Sequence, residues 1–208
     1  GEIDSECFNA YVVEIKFKGS VIHLGDARGK LVNAVTMVTS FVNMLPQAES
    51  PEATDERFGY YCPFEIKAEL SEAELIVYLR DFKLSEIERR IETLNTIASA
   101  VEAVFPGGKV TVKPKKQYLN MREHMDKVPE GMDYLLKAAE QAGVVTTSEI
   151  IRGGTDGARL AEMGIPTPNV FTGGHNYHSV KEWAVLSTME KSCKTVINIV
   201  KLWTDADE

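Results

Sequence analysis

Between Phe8 and Lys18 the chain alternates with a period of two: Val13, Ile15 and Phe17 share one side, and Glu14, Lys16 and Lys18 share the other. Successive side chains of a strand point to opposite faces, so this pattern predicts a half-buried strand, closed by Gly19. From Lys30 to Leu45 the period lengthens. Leu31, Val35, Val38, Phe41, Val42 and Leu45 recur at helical spacing, which predicts a helix with one apolar stripe. Residues 47–56, rich in Pro, Glu and Ser, predict a loop. Two strands are expected next, over 60–70 and 74–82, around a short SEAE turn. Ser85-Glu-Ile-Glu88 matches a capping box and opens a predicted helix whose stripe is Ile87, Ile91, Leu94, Ala98, Val101 and Phe105. Pro106-Gly107-Gly108 stops it. Lys109–Lys113 reads as the last strand, with a continuation toward Tyr118.

The order is βαββαβ. It predicts an α+β, ferredoxin-like sandwich in which two helices cover one face of an antiparallel sheet. The second half reads differently. Pro129 sits where a helix would begin, and Met132, Leu135, Leu136, Ala139 and Ala142 give that helix a buried stripe. A short helix is expected from Thr155 to Met163 ahead of Gly164, a short buried strand from Pro168 to Thr172, and a second capping box at Ser187-Thr-Met-Glu190. The last opens an amphipathic helix through Met189, Val196, Ile197, Val200 and Trp203. Helices outnumber strands here, and one or two strands cannot cover their buried faces. A small helical domain is one reading; a segment that finishes a larger α/β domain is the preferred one.

Composition narrows the function classes. The net charge of −8 disfavours nucleic acid, whose phosphates demand a basic face. The basic cluster of Lys113, Lys115 and Lys116 reads as a solvated strand end. No apolar run approaches the ~20 residues that span a bilayer, so no membrane partner is expected. Cys7, Cys62 and Cys193 are widely spaced without a CxxC pair and suit thiols in a reducing cytoplasm.

Four segments carry candidate chemistry. His23 follows a strand end and precedes the polar GDARGK stretch; an imidazole there is either an ordinary surface residue or a donor to a developing oxyanion. Arg80-Asp81-Phe82 closes a strand, either as a surface ion pair or as an arginine fork that receives a carboxylate. Arg152-Gly-Gly-Thr155-Asp156-Gly157 puts an arginine beside a glycine turn at a helix start, where Thr155 or Asp156 can cap the helix. As a phosphate loop it matches poorly. Phe171-Thr-Gly-Gly-His175-Asn-Tyr-His178 offers two imidazoles to a metal. A complete zinc site needs three or four ligands, so this hypothesis requires ligands from elsewhere.

Taken in order, FKG…His23-x-Gly25…GK-x-VNA, YLRDF, YLNMRE, IRGGTDGARLAEMGIPTPNVFTGGHNYHS and STMEK resemble peptidase T, the aminotripeptidase branch of the di-zinc exopeptidase superfamily. The resemblance runs along nearly the whole chain. It implies that residues 8–118 are a lid of the dimerisation type, that 1–7 are the tail of a catalytic domain, and that 119–208 are the C-terminal segment of that domain. It further implies two zinc ions in the parent enzyme, with His178 as a zinc ligand and His175 at a variable place. His23 would be the lid histidine that polarises the scissile carbonyl, from its own or a neighbouring subunit. Arg80 and Arg152 would receive the substrate's C-terminal carboxylate, and Asn120 would stand in the substrate-binding hinge. The implied partners are small peptides with a free C-terminal carboxylate and a second copy bound through the lid. Leu24 departs from a proline common in the family. The family's HxD motif, bridging aspartate, glutamate pair and further aspartate would all precede Gly1, so the 208 residues alone are expected to be inactive and not fully zinc-bound. The alternatives are a related di-zinc dipeptidase or N-acyl-amino-acid amidohydrolase, and a lid module without activity.

Overall fold

The computed structural model describes residues 1–148 and 150–206. Its elements are β1 (Ile3–Asp4), β2 (Asn9–Lys18), α1 (Ala34–Asn43), β3 (Tyr60–Ala68), β4 (Glu72–Asp81), α2 (Leu84–Val104), β5 (Lys109–Tyr118), α3 (Arg122–Met125), α4 (Pro129–Gln141), α5 (Asp156–Glu162), β6 (Asn169–Val170), β7 (Gly174–His175), β8 (Trp183–Ala184) and α6 (Leu186–Ala206). The chain divides into two units, Phe8–Leu119 and the pair Gly1–Cys7 with Asn120–Glu208.

In the Phe8–Leu119 unit the alternation of β2 and β4 builds the core. The sheet order is β3-β4-β2-β5 and every neighbouring pair is antiparallel, the arrangement that the βαββαβ order predicts. Val13, Ile15 and Phe17 from β2 and Leu75, Val77 and Leu79 from β4 meet Met37, Val38 and Phe41 of α1 and Ile87, Leu94 and Val101 of α2 in one cluster. Burying each such side chain is worth about 1.5–3 kcal/mol. On the other face Lys16 pairs with Glu14 at 2.7 Å and reaches Glu74 at 4.0 Å, exposed contacts that add little.

Two helix starts differ from the expected ones. α1 begins at Ala34, not near Lys30, because Ser20 and Val32 exchange backbone hydrogen bonds of 2.9 Å and hold residue 32 extended. Asn33 then caps the helix, its side chain accepting from the Val35 N–H at 2.9 Å. α2 begins at Leu84, so Ser85 lies inside its first turn and no side-chain cap forms there. Asp81 intervenes: its Oδ1 accepts from the Lys83 N–H at 2.9 Å just ahead of the helix.

The other unit is assembled from short pieces. β1 pairs with β6, Ile3 opposite Val170. On its other side Ile3 donates to the Thr147 carbonyl at 3.0 Å. The Pro168–Thr172 strand expected from the sequence is reduced to Asn169–Val170. Ile3 and Phe171 pack with Leu135 and Ala139 of α4, flanked by Ile199 of α6. Pro129 occupies the first turn of α4 as expected. α6 starts at Leu186, one residue ahead of Ser187, with Thr188 and Met189 donating to the Val185 carbonyl. The β7–β8 ribbon, Gly174 opposite Ala184 and His175 opposite Trp183, was not legible in the pattern. Among the described residues no helix is long and apolar enough to cross a membrane.

Candidate functional site

The five sequence-derived residues fall on both units: His23 and Arg80 on Phe8–Leu119, and Asn120, Arg152 and His178 on the other. Each local site is built by a different device.

His23 sits in an excursion of the chain whose ends are pinned by the Ser20–Val32 pair. Gly19 is required at its base, since a Cβ there would lie 2.1 Å from the Val32 carbonyl oxygen. His23 precedes a single turn, Leu24–Asp26, and its Nδ1 accepts from the Gly25 N–H at 3.2 Å. In a neutral imidazole with Nδ1 accepting, the proton is on Nε2. The side chain is 82% exposed. Asp26 approaches Nδ1 only to 3.8 Å.

Arg80 lies mid-sheet, opposite Ala10 of β2 and Tyr60 of β3. Its Nη1 donates to the Leu79 carbonyl at 2.9 Å and the Tyr11 carbonyl at 3.2 Å. The guanidinium also lies over the rings of Tyr78 and Tyr118, 5.1 and 5.8 Å from their centroids. Stacking and the carbonyls fix the plane of the fork. The neighbouring aspartate turns elsewhere. Asp81 Oδ2 binds Arg90 Nη1 of α2 at 2.6 Å, with both side chains buried. Arg90 Nη2 also meets Glu49 at 3.0 Å. Asp81 is therefore part of a buried structural ion pair, and the sequence alternatives for Arg80-Asp81 divide between two separate partners. Gly59 is needed beside it, because a Cβ would sit 2.2 Å from both the Arg80 carbonyl and Asp81 Oδ2. The signal for this pair was Arg90 itself, three residues after Ile87 and four before Leu94 on the apolar stripe of α2.

Asn120 acts as a clasp. Its Oδ1 accepts from the Cys7 N–H at 3.2 Å and the Arg122 N–H at 3.0 Å, and its Nδ2 donates to Glu6 at 3.3 Å. Burial pushes the adjacent Cys7 thiol above its ordinary pKa. Arg152 follows Ile151, whose N–H donates to the Glu6 carbonyl at 3.2 Å, and precedes the Gly153-Gly154 turn. Thr155 stands at the N-cap position of α5 without a side-chain cap, contrary to the sequence expectation. Gly157 is dictated by close approach, a Cβ there falling 2.6 Å from the Thr167 carbonyl.

His178 lies in the loop that β7 and β8 close. Asn176 and His178 adopt positive φ values of 55° and 65°, a conformation that costs a non-glycine residue and persists only where surroundings hold it. They are held. The His178 N–H donates to Glu182 Oε2 at 3.0 Å, and Asn176 Nδ2 donates to the Lys181 carbonyl at 3.3 Å. His175 stacks on Trp183, centroids 4.4 Å apart. Sequence reasoning missed Glu182 and Trp183; the available signal was the Gly-Gly-x-Asn-x-His run, dense in residues that tolerate the left-handed region. Among the described residues no three His, Cys, Asp or Glu side chains converge as a metal-binding group. Zinc takes three or four protein ligands, so the donor set described does not fit a complete zinc site.

The cavities of the Phe8–Leu119 unit include open ones of about 780 and 750 Å³. Neither is lined by any of the five residues. The second is walled by Arg89, Arg90, Glu49 and Glu86, charges that neutralise one another.

No family model matches the chain. It is 38% identical over 205 residues to the peptidase T of Clostridium perfringens, and the match covers 99% of this chain and 50% of that protein. The peptidase T of Bacillus licheniformis gives the same identity and coverage. Among solved structures, a tripeptidase from Staphylococcus aureus superposes with a TM-score of 0.78 at 15% identity, over 97% of this chain and 53% of that one. The aminopeptidase PepT of Bacillus cereus gives 0.74 at 20% identity, over 96% and 53%. A dinuclear metal-binding peptidase of the M20 family from Bacillus subtilis gives 0.63 at 15%, over 95% and 52%. The chain thus spans about half the length of the curated relatives it matches.

Proposed function

Because the chain is a homologue of peptidase T along 99% of its length, we propose that it forms the lid and the C-terminal catalytic segment of a zinc aminotripeptidase, which releases the N-terminal residue of a tripeptide. The observation that carries this reading is the extent of that similarity, which takes in the His23 loop, the Arg80 strand, the Arg152 turn and the His178 loop together. The division at 8–118 and 119–208 is part of the proposal, as is the cytoplasmic setting.

His23 supplies the transition-state contact. An exposed imidazole N–H is suited as a donor to an oxygen that becomes an oxyanion only as the peptide carbonyl is attacked. Arg80 and Arg152 receive the C-terminal carboxylate. With Nη1 of Arg80 tied to backbone carbonyls, the fork is oriented before substrate arrives and loses less freedom on binding. Tripeptide selectivity follows if both arginines sit at a fixed distance from the scissile bond, since a carboxylate left unpaired in a closed site is costly. Asn120 contributes by clasping residues 6–7 to 120–122, which makes it a brace of the hinge. His178 would give one zinc ligand, and the remaining ligands would come from the half of the relatives' length that these residues do not span. Bound zinc would supply an activated water; the roles above concern this chain's own side chains.

A second copy would add along β3. This strand is a sheet edge, and Phe64 and Ile66 on it are exposed, the kind of edge that invites strand pairing.

The test uses the enzyme with its catalytic domain complete, assayed on a free tripeptide and on its C-terminal amide. Arg152→Ala should raise KM for the free acid by about ten-fold or more while leaving the amide nearly unchanged, because the charged carboxylate is bound in both ground and transition states. Equal losses on both peptides would make Arg152 a support for the Gly153-Gly154 turn.

A further inference from the structure

Leu75, Val77 and Leu79 of β4 point into the core, so Tyr78 and Arg80 point to the face of the sheet that the helices leave open. Four planar groups follow one another there: Phe64 on β3, Tyr78 and Arg80 on β4, and Tyr118 on β5. Phe64 stacks on Tyr78 with centroids 4.5 Å apart and an interplanar angle of 24°. The Arg80 guanidinium comes next, 5.1 Å from the Tyr78 centroid and 5.8 Å from that of Tyr118. Tyr118 lies two strands away from Arg80, and the residue between them explains how the guanidinium reaches it. Ala10 of β2 is opposite both Arg80 and Tyr118. Directly opposite residues of an antiparallel pair share a face, so β2 places only a methyl group between the arginine and the ring. That methyl is buried.

The hydrogen bonds decide which edge of the guanidinium is left for a ligand. Nη1 donates to the Leu79 and Tyr11 carbonyls. Nε and Nη2 hydrogen-bond none of the described residues. Their N–H groups form the side edge of the fork, two parallel donors spaced to match the two oxygens of a carboxylate. A C-terminal amide matches that edge poorly, because its NH2 group would face a second donor. An arginine without such walls would order its long side chain only on binding, at a cost in affinity.

We infer that Tyr78 and Tyr118, with Ala10 beneath, are positioning residues that hold the Arg80 fork with its Nε–Nη2 edge set for a carboxylate. They act through Arg80. Their role rests on the proposed reading of Arg80 as a receptor for the substrate's C-terminal carboxylate, so Arg80→Ala is measured beside them.

The enzyme with its catalytic domain complete is assayed on a free tripeptide and on its C-terminal amide, each variant first being shown to melt cooperatively. Tyr78→Leu and Tyr118→Leu should each raise KM for the free acid by about three-fold, the scale of a partly exposed cation–π contact, and together by about ten-fold. Both kcat and the amide's KM should stay within about two-fold of the parent. Tyr78→Phe and Tyr118→Phe keep the ring faces and should restore the parent KM. Ala10→Val crowds the fork from below without altering a ring; it should raise the same KM, and it decides the matter should a leucine variant fail to fold. An unchanged KM, equal losses on acid and amide, or phenylalanine variants no better than the leucine ones would overturn the positioning role. With Arg80→Ala still selective for the acid, that result leaves Arg80 standing as the receptor. An Arg80→Ala variant that loses acid and amide alike removes the receptor, and the positioning role with it.

Discussion

The two units differ in how much of their apolar surface they cover themselves. In Phe8–Leu119, β2 and β4 send Val13, Ile15, Phe17, Leu75, Val77 and Leu79 into a single core where none is more than 1% exposed, and two long helices close it. In the other unit the cluster around Ile3 is small, the strands are two residues long, and α6 leaves apolar residues about half exposed. A domain needs layers packed around one core. The first unit has them from its own sequence; in the second, paired strands of two residues leave apolar residues of α6 partly exposed. In the proposed reading function divides along the same line, for Phe8–Leu119 would present His23 and Arg80 on a unit with its own core, whereas His178 and Arg152 lie on loops whose support is partly local.

That contrast can be broken at the buried ion pair of Phe8–Leu119. Arg90→Met removes the cation from a buried pair and leaves Asp81 uncompensated, which should destabilise Phe8–Leu119 by about 3–5 kcal/mol. Urea unfolding of the variant measures it, and a loss near zero would mean that Asp81 finds water or another partner.

A smaller effect sharpens the same contrast through pH. Glu102 accepts from the Val110 N–H at 2.8 Å and pairs with Lys109 at 3.0 Å, tying α2 to β5. The backbone hydrogen bond first, and then Lys109, hold its carboxyl below the usual range. A depressed folded-state pKa contributes stability that is present above the unfolded value and is lost as pH falls through the folded one. The Tm of Phe8–Leu119 should therefore decline between about pH 5 and 3, and Glu102→Gln should remove a small part of that slope. A Tm profile unaltered by the substitution would show that the contact does not persist in solution.

The Phe8–Leu119 unit was legible because its signals are local. The period of two in β2 and the helical stripe of α2 hold wherever the chain lies in space, and the strand order followed from βαββαβ. What the sequence hid depends on contacts between distant residues. The capping box at Ser85 was misplaced because Asp81 anchors the turn before it, and α1 lost its first turn to the Ser20–Val32 pair. Asp81 read as the companion of its neighbour Arg80, yet its partner is Arg90, nine residues on. The His178 loop was visible as chemistry but not as geometry, since its left-handed residues are held by Glu182 and a ribbon only two residues wide. Asn120 was legible as a position of interest, while its use as a clasp required the return of residues 6–7 beside it.

The central proposal is that His23 acts on the transition state of peptide hydrolysis, its exposed ring held by the Nδ1 contact with the Gly25 N–H. The direct measurement is steady-state kinetics of His23→Ala on a tripeptide, in the enzyme that carries its complete catalytic domain. An oxyanion exists only in the transition state, so kcat should fall by about 100-fold or more with KM little changed. A variant that keeps its kcat and raises only KM would contradict the account, for it would make His23 a substrate-binding residue.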